Sequence, residues 1–259
     1  MKISKTAFIG FLAVVALTTA SSCKKDTTNP DNSSCSTCES VTALATNDDQ
    51  QSGIYKGLLL NGTGVGHFRT NVKNGDNQFF MVMKFTRDGN YAVLLDSLFP
   101  FGTVVVNGGS DIYADMRGSA SQVDFYLNPL GQNVSVGDFD LSGSIGTGPK
   151  PQATAMKELS TEQVKVFEGT MQETSASGPN GKVGFVVRGN SIEGIITNSS
   201  NTLRERFMNG TIASDNTFSF SFSGNNSVYS GQLTSATQIS GSFTINGTAA
   251  GTFTAKRTL

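Results

Sequence analysis

The fold is decided by the stretch Thr217-Phe-Ser-Phe-Ser-Phe-Ser223, in which aromatic and small polar residues alternate without a break. Successive side chains of a β-strand point to opposite faces, so this period of two puts Phe218, Phe220 and Phe222 on one side and the hydroxyl groups on the other. The aromatic side is expected to face a core and the hydroxyl side to face water. The stretch therefore predicts a β-strand with one buried face.

Segments with a similar alternating pattern lie on both sides of this strand in the sequence. They are separated by turn sequences such as Asp215-Asn216, Gly224-Asn225 and Asn246-Gly247. Strands are predicted in this half of the chain near 164–171, 182–188, 191–197, 203–208, 216–223, 227–234, 238–245 and 249–257. Because turns this short leave no room for parallel crossover connections, the strands are predicted to be antiparallel.

The first half of the chain shows the same pattern. One face of a predicted strand carries Phe79, Met81, Met83 and Phe85, and a hairpin signal, Arg87-Asp-Gly-Asn90, follows it. Further strands are predicted near 53–60, 67–72, 91–95, 103–106, 111–117, 121–127 and 134–142. The 18 Phe residues mostly alternate within strands, which predicts core positions for them.

A meander of eight strands tends to close on itself, because closure removes its exposed edges. The predicted fold class is therefore all-β, an antiparallel meander that forms one or two roughly eight-stranded barrels, or a sandwich. The sequence Ile54-Tyr-Lys-Gly57 is echoed by Val166-Phe-Glu-Gly169, which leaves an internal duplication as an open hypothesis.

Two interruptions divide the chain. Residues 146–151 break the strand pattern and 152–159 are good helix formers, so 146–162 are predicted to be a linker with a short helix. Residues 23–51 are rich in Ser, Thr, Asn and Asp and have little hydrophobic periodicity, which predicts a flexible tether. The predicted domains are a signal peptide at 1–22, the tether at 23–51, and β halves at 52–145 and 163–259.

The N-terminus has the features of an export signal. Lys2 and Lys5 precede an apolar run at 7–17, which is shorter than the roughly 20 residues that a spanning helix needs. The run leads into Ala20-Ser-Ser-Cys23, which resembles the lipobox of bacterial lipoproteins, and the following Lys24-Lys-Asp26 is most similar to lipoproteins of Bacteroidota. This resemblance implies removal of 1–22, lipid on Cys23, and anchoring in the outer membrane, on the periplasmic face or at the cell surface.

Residues 169–257 resemble the calycin-like barrels of Bacteroidota lipoproteins and the C-terminal barrels of transferrin-binding-type surface lipoproteins. The texture that carries this likeness includes Ile239-Ser-Gly-Ser-Phe243 and Gly251-Thr-Phe-Thr-Ala-Lys-Arg257. The resemblance implies a barrel and attaches no ligand to it.

Cys35 and Cys38 form a CxxC pair within the predicted tether. Redox catalysis needs a helix N-terminus that lowers a thiol pKa, and nothing around the pair is predicted to be helical. A zinc site needs two more ligands, and His67 is the only histidine. In an oxidising envelope, a local disulfide between Cys35 and Cys38 is the favoured interpretation.

Carboxylates offer the remaining chemistry. Asp138 and Asp140 are predicted to share a face of one strand, with Asp111, Asp115 and Asp124 on nearby segments. Paired carboxylates can act as acid and base on a glycoside or bind Ca²⁺, although a solvated outer face is the commoner outcome. With a single histidine and no GxSxG motif, the chain is predicted to be non-enzymatic and to need no cofactor or metal.

Composition limits the partners. The chain has 19 basic and 20 acidic residues, so it lacks the basic footprint of a nucleic-acid-binding protein. Asp26-Thr27-Thr28 and Asp96-Ser97-Leu98 resemble the O-glycosylation pattern of Bacteroidota, which implies modification at Thr27 and Ser97. The leading hypothesis is an envelope lipoprotein whose barrels bind a protein, glycan or small-molecule partner or give structural support. The alternatives are a lipocalin-like carrier of a lipophilic ligand and a glycan hydrolase.

Overall fold

A computed structural model of the chain describes residues 42–61, 64–87, 93–106, 111–119, 121–132, 134–140, 151–198, 204–224 and 226–259. These residues confirm the all-β fold class, with two nearly closed eight-stranded antiparallel sheets. Within the described ranges, no helix is long and apolar enough to cross a membrane.

The first sheet consists of β1 (Gly53–Asn61), β2 (Gly64–Val72), β3 (Phe79–Arg87), β4 (Val93–Val106), β5 (Asp111–Arg117), β6 (Gln122–Leu127), β7 (Val134–Asp140) and β8 (Gln152–Lys157). The second consists of β9 (Val164–Glu173), β10 (Gly181–Arg188), β11 (Ser191–Asn198), β12 (Arg204–Thr211), β13 (Thr217–Phe222), β14 (Ser227–Ser235), β15 (Gln238–Ile245) and β16 (Thr248–Arg257).

Both sheets close in the same way. In the first, β8 pairs with β1, and the strand order is β7-β6-β5-β4-β3-β2-β1-β8. In the second, β16 pairs with β9, and the order is β12-β11-β10-β9-β16-β15-β14-β13. Each sheet is thus a barrel whose first and last strands are joined, with one open seam. The seam lies between β7 and β8 in the first barrel and between β12 and β13 in the second.

Large apolar side chains fill both barrels. In the first barrel, Met81, Met83 and Phe85 are fully buried, and Phe79 packs against the same cluster, as the alternation predicts. In the second barrel, Phe218 is buried, while Phe220 and Phe222 are partly buried against the core. Ser219 and Ser221 are exposed, so the predicted two faces of this strand are confirmed.

The two barrels meet along an apolar junction. Its side chains project outward from one barrel into the other, and they are Leu58 and Leu60 of β1, Met156 of β8, Val164 and Val166 of β9, Val186 of β10, Ile195 of β11, and Leu259. Strand β1 is therefore buried on both faces, since Tyr55 and Leu59 point into the first barrel. We refer to this cluster as the barrel junction.

The predicted linker helix is wrong. Residues 152–157 form β8, which pairs with β1 from Leu60↔Gln152 to Tyr55↔Lys157. Ala153 and Ala155 face the first core, whereas Met156 faces the barrel junction. Burial of both faces outweighs the helix propensity of these residues, because propensities amount to only about 0.7 kcal/mol per residue or less for ordinary residues. The first β half therefore extends to Lys157, and the connection between barrels is 158–163.

The predicted tether extends too far. Residues 42–51 pack on the first barrel and include a single turn of 3-10 helix at Ala45–Asn47. Asn74 accepts hydrogen bonds at Oδ1 from the Leu44 amide (3.1 Å) and from Asn47 Nδ2 (3.0 Å). The Lys157 ammonium donates to the carbonyl oxygens of Asn47 (2.5 Å), Asp48 (3.1 Å) and Gln50. Ala43 is the one buried apolar side chain of 42–51, and hydrogen bonds to distant polar side chains hold the rest, which is why the composition of this segment predicts disorder.

Strands predicted separately at 91–95 and 103–106 belong to one strand, β4. Up to Leu98 it pairs with β3, and from Phe99 onward it pairs with β5. The register slips between Pro100 and Gly102, which makes a β-bulge. Proline cannot donate to a strand ladder and is tolerated at a bulge, so Pro100 sits where β4 changes partners.

Candidate functional site

Most of the predicted modification sites lie outside the described residues. Cys23, Thr27, Cys35 and Cys38 all precede residue 42. Lipidation, O-glycosylation at Thr27 and the Cys35–Cys38 disulfide therefore stay predictions.

Ser97 lies in the middle of β4. It is exposed, while its neighbours Asp96 and Leu98 are buried. Asp96 accepts hydrogen bonds from the Ser119 amide (3.1 Å) and from the hydroxyls of Ser119 (3.0 Å) and Ser121 (2.6 Å). Asp96 thus fastens the β5–β6 turn to β4, and the modification of Ser97 stays a prediction.

Asp138 and Asp140 both belong to β7. A β-bulge in this part of the strand interrupts the regular alternation of side chains between the two faces. Between Asp124↔Gly137 and Gln122↔Asp140, the register advances by two residues on β6 and by three on β7. Their side chains are outside the described part of the structure. Among the residues that are described, no group of three His, Cys, Asp or Glu side chains is placed to hold a metal ion.

His67, the single histidine, links the two barrels. Its Nδ1 contacts Oε1 of Glu168 on β9, and the Thr258 hydroxyl donates to the same oxygen (3.2 Å). Both side chains of the His–Glu pair are 17% exposed. This arrangement gives His67 a structural partner at the barrel junction.

Other charged groups are buried beside the same junction. Lys56 Nζ lies 2.5 Å from Glu158 Oε2, which also accepts a hydrogen bond from the Val164 amide (3.1 Å). Glu193 on β11 accepts a hydrogen bond from the Thr154 hydroxyl on β8, and burial raises the pKa of Glu193 above its ordinary value. Each of these carboxylates has a partner from a neighbouring segment, so this cluster holds the barrels in place.

The outer surface of the first barrel presents a different feature. Phe99 and Phe101 are 58% and 73% exposed, although the sequence pattern predicts core positions for most phenylalanines. They flank Pro100 at the point where β4 leaves β3 and joins β5, and Phe101 is the residue that the register skips. These are the two most exposed large hydrophobic side chains among the described residues.

Arg117 and Asp115 of β5 fix this surface. The guanidinium carbon of Arg117 lies 3.9 Å from the centroid of the Phe101 ring, which is a cation–π contact. Nε and Nη2 of Arg117 donate to Oδ2 of Asp115 at 2.9 and 2.6 Å. Oδ1 of Asp115 is buried and has no hydrogen-bond partner among the described residues. We call Phe99, Phe101, Arg117 and Asp115 the aromatic corner.

Polar side chains continue from the aromatic corner across the outer face. On β6, Gln122 pairs with Arg117 and Asp124 pairs with Asp115, while Tyr126 pairs with Tyr113 in the next row. The Tyr126 hydroxyl donates to Asp111 Oδ2. The result is a shallow face with aromatic rings on two sides of a row of carboxylates. On the neighbouring strand β7, Gly137 has open space where a side chain would be.

Sequence reasoning missed the aromatic corner because inward and outward aromatic positions show the same alternation. The available signal was Pro100 between two Phe residues. A proline inside a strand pattern marks an edge or a bulge, where the two-residue period breaks. The sequence places Asp115 only among possible calcium or acid–base carboxylates, whereas in the structure Arg117 donates to its Oδ2.

Two surface cavities are also described. One, of about 600 Å³, lies over β13–β15 and is lined by hydroxyl-bearing residues such as Ser219, Ser230 and Ser242. The other, of about 380 Å³, lies beside the barrel junction and is lined by Lys56, Arg257 and Leu259 among others. No carboxylate side chain lines either cavity among the described residues, whereas the aromatic corner places a carboxylate and a guanidinium beside exposed rings.

Comparison of the chain with known protein families, with curated proteins and with solved structures finds no match in any of the three.

Proposed function

We propose that the chain is a lipid-anchored, non-enzymatic binding protein of the bacterial outer membrane. In this proposal, lipid on Cys23 fastens the chain to the membrane. The ligand binds the outer face of the first barrel. The observation that carries the proposal is the aromatic corner, where two Phe side chains are exposed and held beside an Arg–Asp pair.

The packing of the barrel interiors favours a ligand site on the outer face over one in an interior cavity. The inward side chains of both barrels form contiguous buried clusters, including Phe68, Phe85 and Phe125 in the first and Phe185 and Phe243 in the second. A lipocalin-like carrier instead needs space inside its barrel. His67, the obvious candidate for acid–base chemistry, is engaged by Glu168 at the barrel junction, which favours a binding role over a hydrolytic one.

The test of the proposed location is the chemistry of the mature N-terminus. In a Gram-negative host, the wild-type chain should begin at Cys23, carry acyl mass by intact mass spectrometry, and fractionate with outer membranes. Cys23→Ser should be unacylated and should leave the membrane fraction, whereas the matched variant Cys35→Ser should behave as wild type. A mature N-terminus elsewhere, or a Cys23 that carries no acyl mass, would contradict the proposal.

A further inference from the structure

We infer that the aromatic corner binds a neutral glycan. This inference rests on the proposed binding function and names the chemical class of its ligand. A pyranose ring has C–H groups on its faces and hydroxyls on its edge. Its recognition therefore needs an exposed aromatic face with hydrogen-bonding groups beside it, and the aromatic corner supplies both.

The apolar part of the site is the pair of exposed rings. Arg117 lies against one face of Phe101 and holds the ring in position, and the ring is still 73% exposed. Phe99 pairs directly with Arg117 across β4 and β5. An aromatic side chain fixed in this way loses little conformational entropy when a ligand packs on it, which favours binding.

The polar part consists of an acceptor and a donor side by side. The Asp115 side chain is 20% exposed, and its recessed Oδ1 has no hydrogen-bond partner among the described residues, so this acceptor is left unsatisfied at a penalty in free energy. A ligand hydroxyl that donates to this oxygen would remove the penalty. Arg117 stands beside the same carboxylate, because its Nε and Nη2 donate to Asp115 Oδ2, and its guanidinium carries further N–H donors for a ligand. Gln122, opposite Arg117, adds an amide that can both donate and accept.

Charge selects a neutral ligand over an anionic one. The described outer face of β5 and β6 carries three carboxylates, Asp111, Asp115 and Asp124, against the single guanidinium of Arg117. This face repels phosphate groups, anionic polysaccharides and the headgroups of acidic lipids. A protein partner is disfavoured for a different reason. Among the side chains that the structure describes on this face, the strongly exposed apolar surface is two rings beside charged groups, whereas a stable protein interface buries about 800 Å² on each side.

The test is affinity electrophoresis of the full-length chain in mild detergent. Native gels contain dextran, glycogen, galactomannan or xyloglucan as neutral probes, and polygalacturonate as the anionic comparator. At least one neutral polysaccharide should retard the wild type, and polygalacturonate should not. Phe101→Ala and Asp115→Asn should each weaken the retarding affinity at least tenfold. Val228→Ala removes an exposed apolar side chain from the second barrel, so it should bind as wild type and serves as the matched control.

Circular dichroism of each variant ensures that a lost interaction reflects the site rather than the fold. The inference is overturned if none of the four neutral polysaccharides retards the wild type, if polygalacturonate retards it equally, or if folded Phe101→Ala binds unchanged. None of these results affects the acylation of Cys23, so failure of the ligand class is distinguishable from failure of the proposed location. New reducing ends that disappear in Asp138→Asn would overturn the non-enzymatic role, while Phe101-dependent retardation would still support the site.

Discussion

Glu193 shows how a single residue couples the two barrels. It belongs to β11 of the second barrel, is 8% exposed, and takes its hydrogen bond from Thr154 on β8 of the first barrel. Burial raises its pKa, while Thr154, Arg206 and Arg188 act in the opposite direction. Desolvation is the larger effect, so the fold favours the protonated form of this carboxyl more than water does.

This raised pKa gives a pH dependence with a defined sign. At pH values above the ordinary pKa of 4.5 and up to the raised pKa, the folded protein binds more protons at Glu193 than the unfolded chain does. The stability that the group contributes is therefore complete below that value and is lost as the pH rises through the raised pKa. Glu193→Gln keeps the shape and removes the titration. The free energy of unfolding of the wild type relative to this variant should fall from about pH 4 to pH 7.

The measurement is urea unfolding of both proteins at several pH values in that range. Taking the difference cancels the titration of the groups that the two proteins share. A difference that stays flat or rises with pH would mean that desolvation is not the dominant effect at Glu193.

At the scale of elements, side chains bridge the seam of the second barrel, where no strand pairing joins β12 to β13 among the described residues. Strands β12 and β13 lie at the two ends of the sheet order. Phe207 of β12 and Phe220 of β13 stack across them with ring centroids 3.5 Å apart. Phe220 also contacts Phe218, whose ring packs on Phe185 in the core. The stretch that predicts the fold therefore also closes the barrel.

Removing the Phe220 ring should open this seam. Because Phe220 is partly buried, Phe220→Ala should lower the free energy of unfolding by about 3 kcal/mol, the lower end of the range for aromatic truncations. Ser221→Ala, on the exposed face of the same strand, should stay within about 0.5 kcal/mol. Urea unfolding measures both changes, and hydrogen exchange of β12 and β13 amides should quicken only in Phe220→Ala. Equal and small effects would mean that the seam is not held by this stack.

How far the sequence predicts these elements depends on what stabilises each one. Alternation finds β3 and β13, because one face of each meets a core and the other does not. It fails for β8, where Ala153 and Met156 are buried on opposite faces by two different barrels. It fails for 42–51, which are held by Asn74 and Lys157 from distant parts of the chain. The aromatic corner escapes prediction for a related reason, since only tertiary structure decides which face of β4 is outside.

On the scale of the whole molecule, the two barrels repeat one another in detail. The echoed segments, 54–57 and 166–169, occupy the first strand of each barrel. Gly57 pairs with Ala155 of the last strand, and Gly169 pairs with Ala255 in the same way. A Cβ at either glycine would strike the carbonyl oxygen of a residue in that last strand, Thr154 or Thr254. Equivalent glycines thus allow the first and last strands of each barrel to pair closely in the same way, as the duplication hypothesis predicts.

The repetition stops at the barrel junction, where one barrel must fit the other. Gly184 of β10 lies against Leu58 of β1, and a Cβ at Gly184 would come within 2.4 Å of a Leu58 methyl carbon. Leu58 is fully buried, so it has no free space into which it can turn. Gly184→Ala should therefore force the barrels apart locally and cost about 1–3 kcal/mol, the usual cost of overpacking.

Gly178 provides the matched control, because nothing lies within 4 Å of the position that its Cβ would take. Gly178→Ala should change the free energy of unfolding by no more than about 0.5 kcal/mol. The chain contains no Trp, so far-UV circular dichroism during urea unfolding is the appropriate signal. If Gly184→Ala were as mild as Gly178→Ala, Leu58 would not be confined by the second barrel. The packing of Leu58 against Gly184 would then not be what holds the two barrels together.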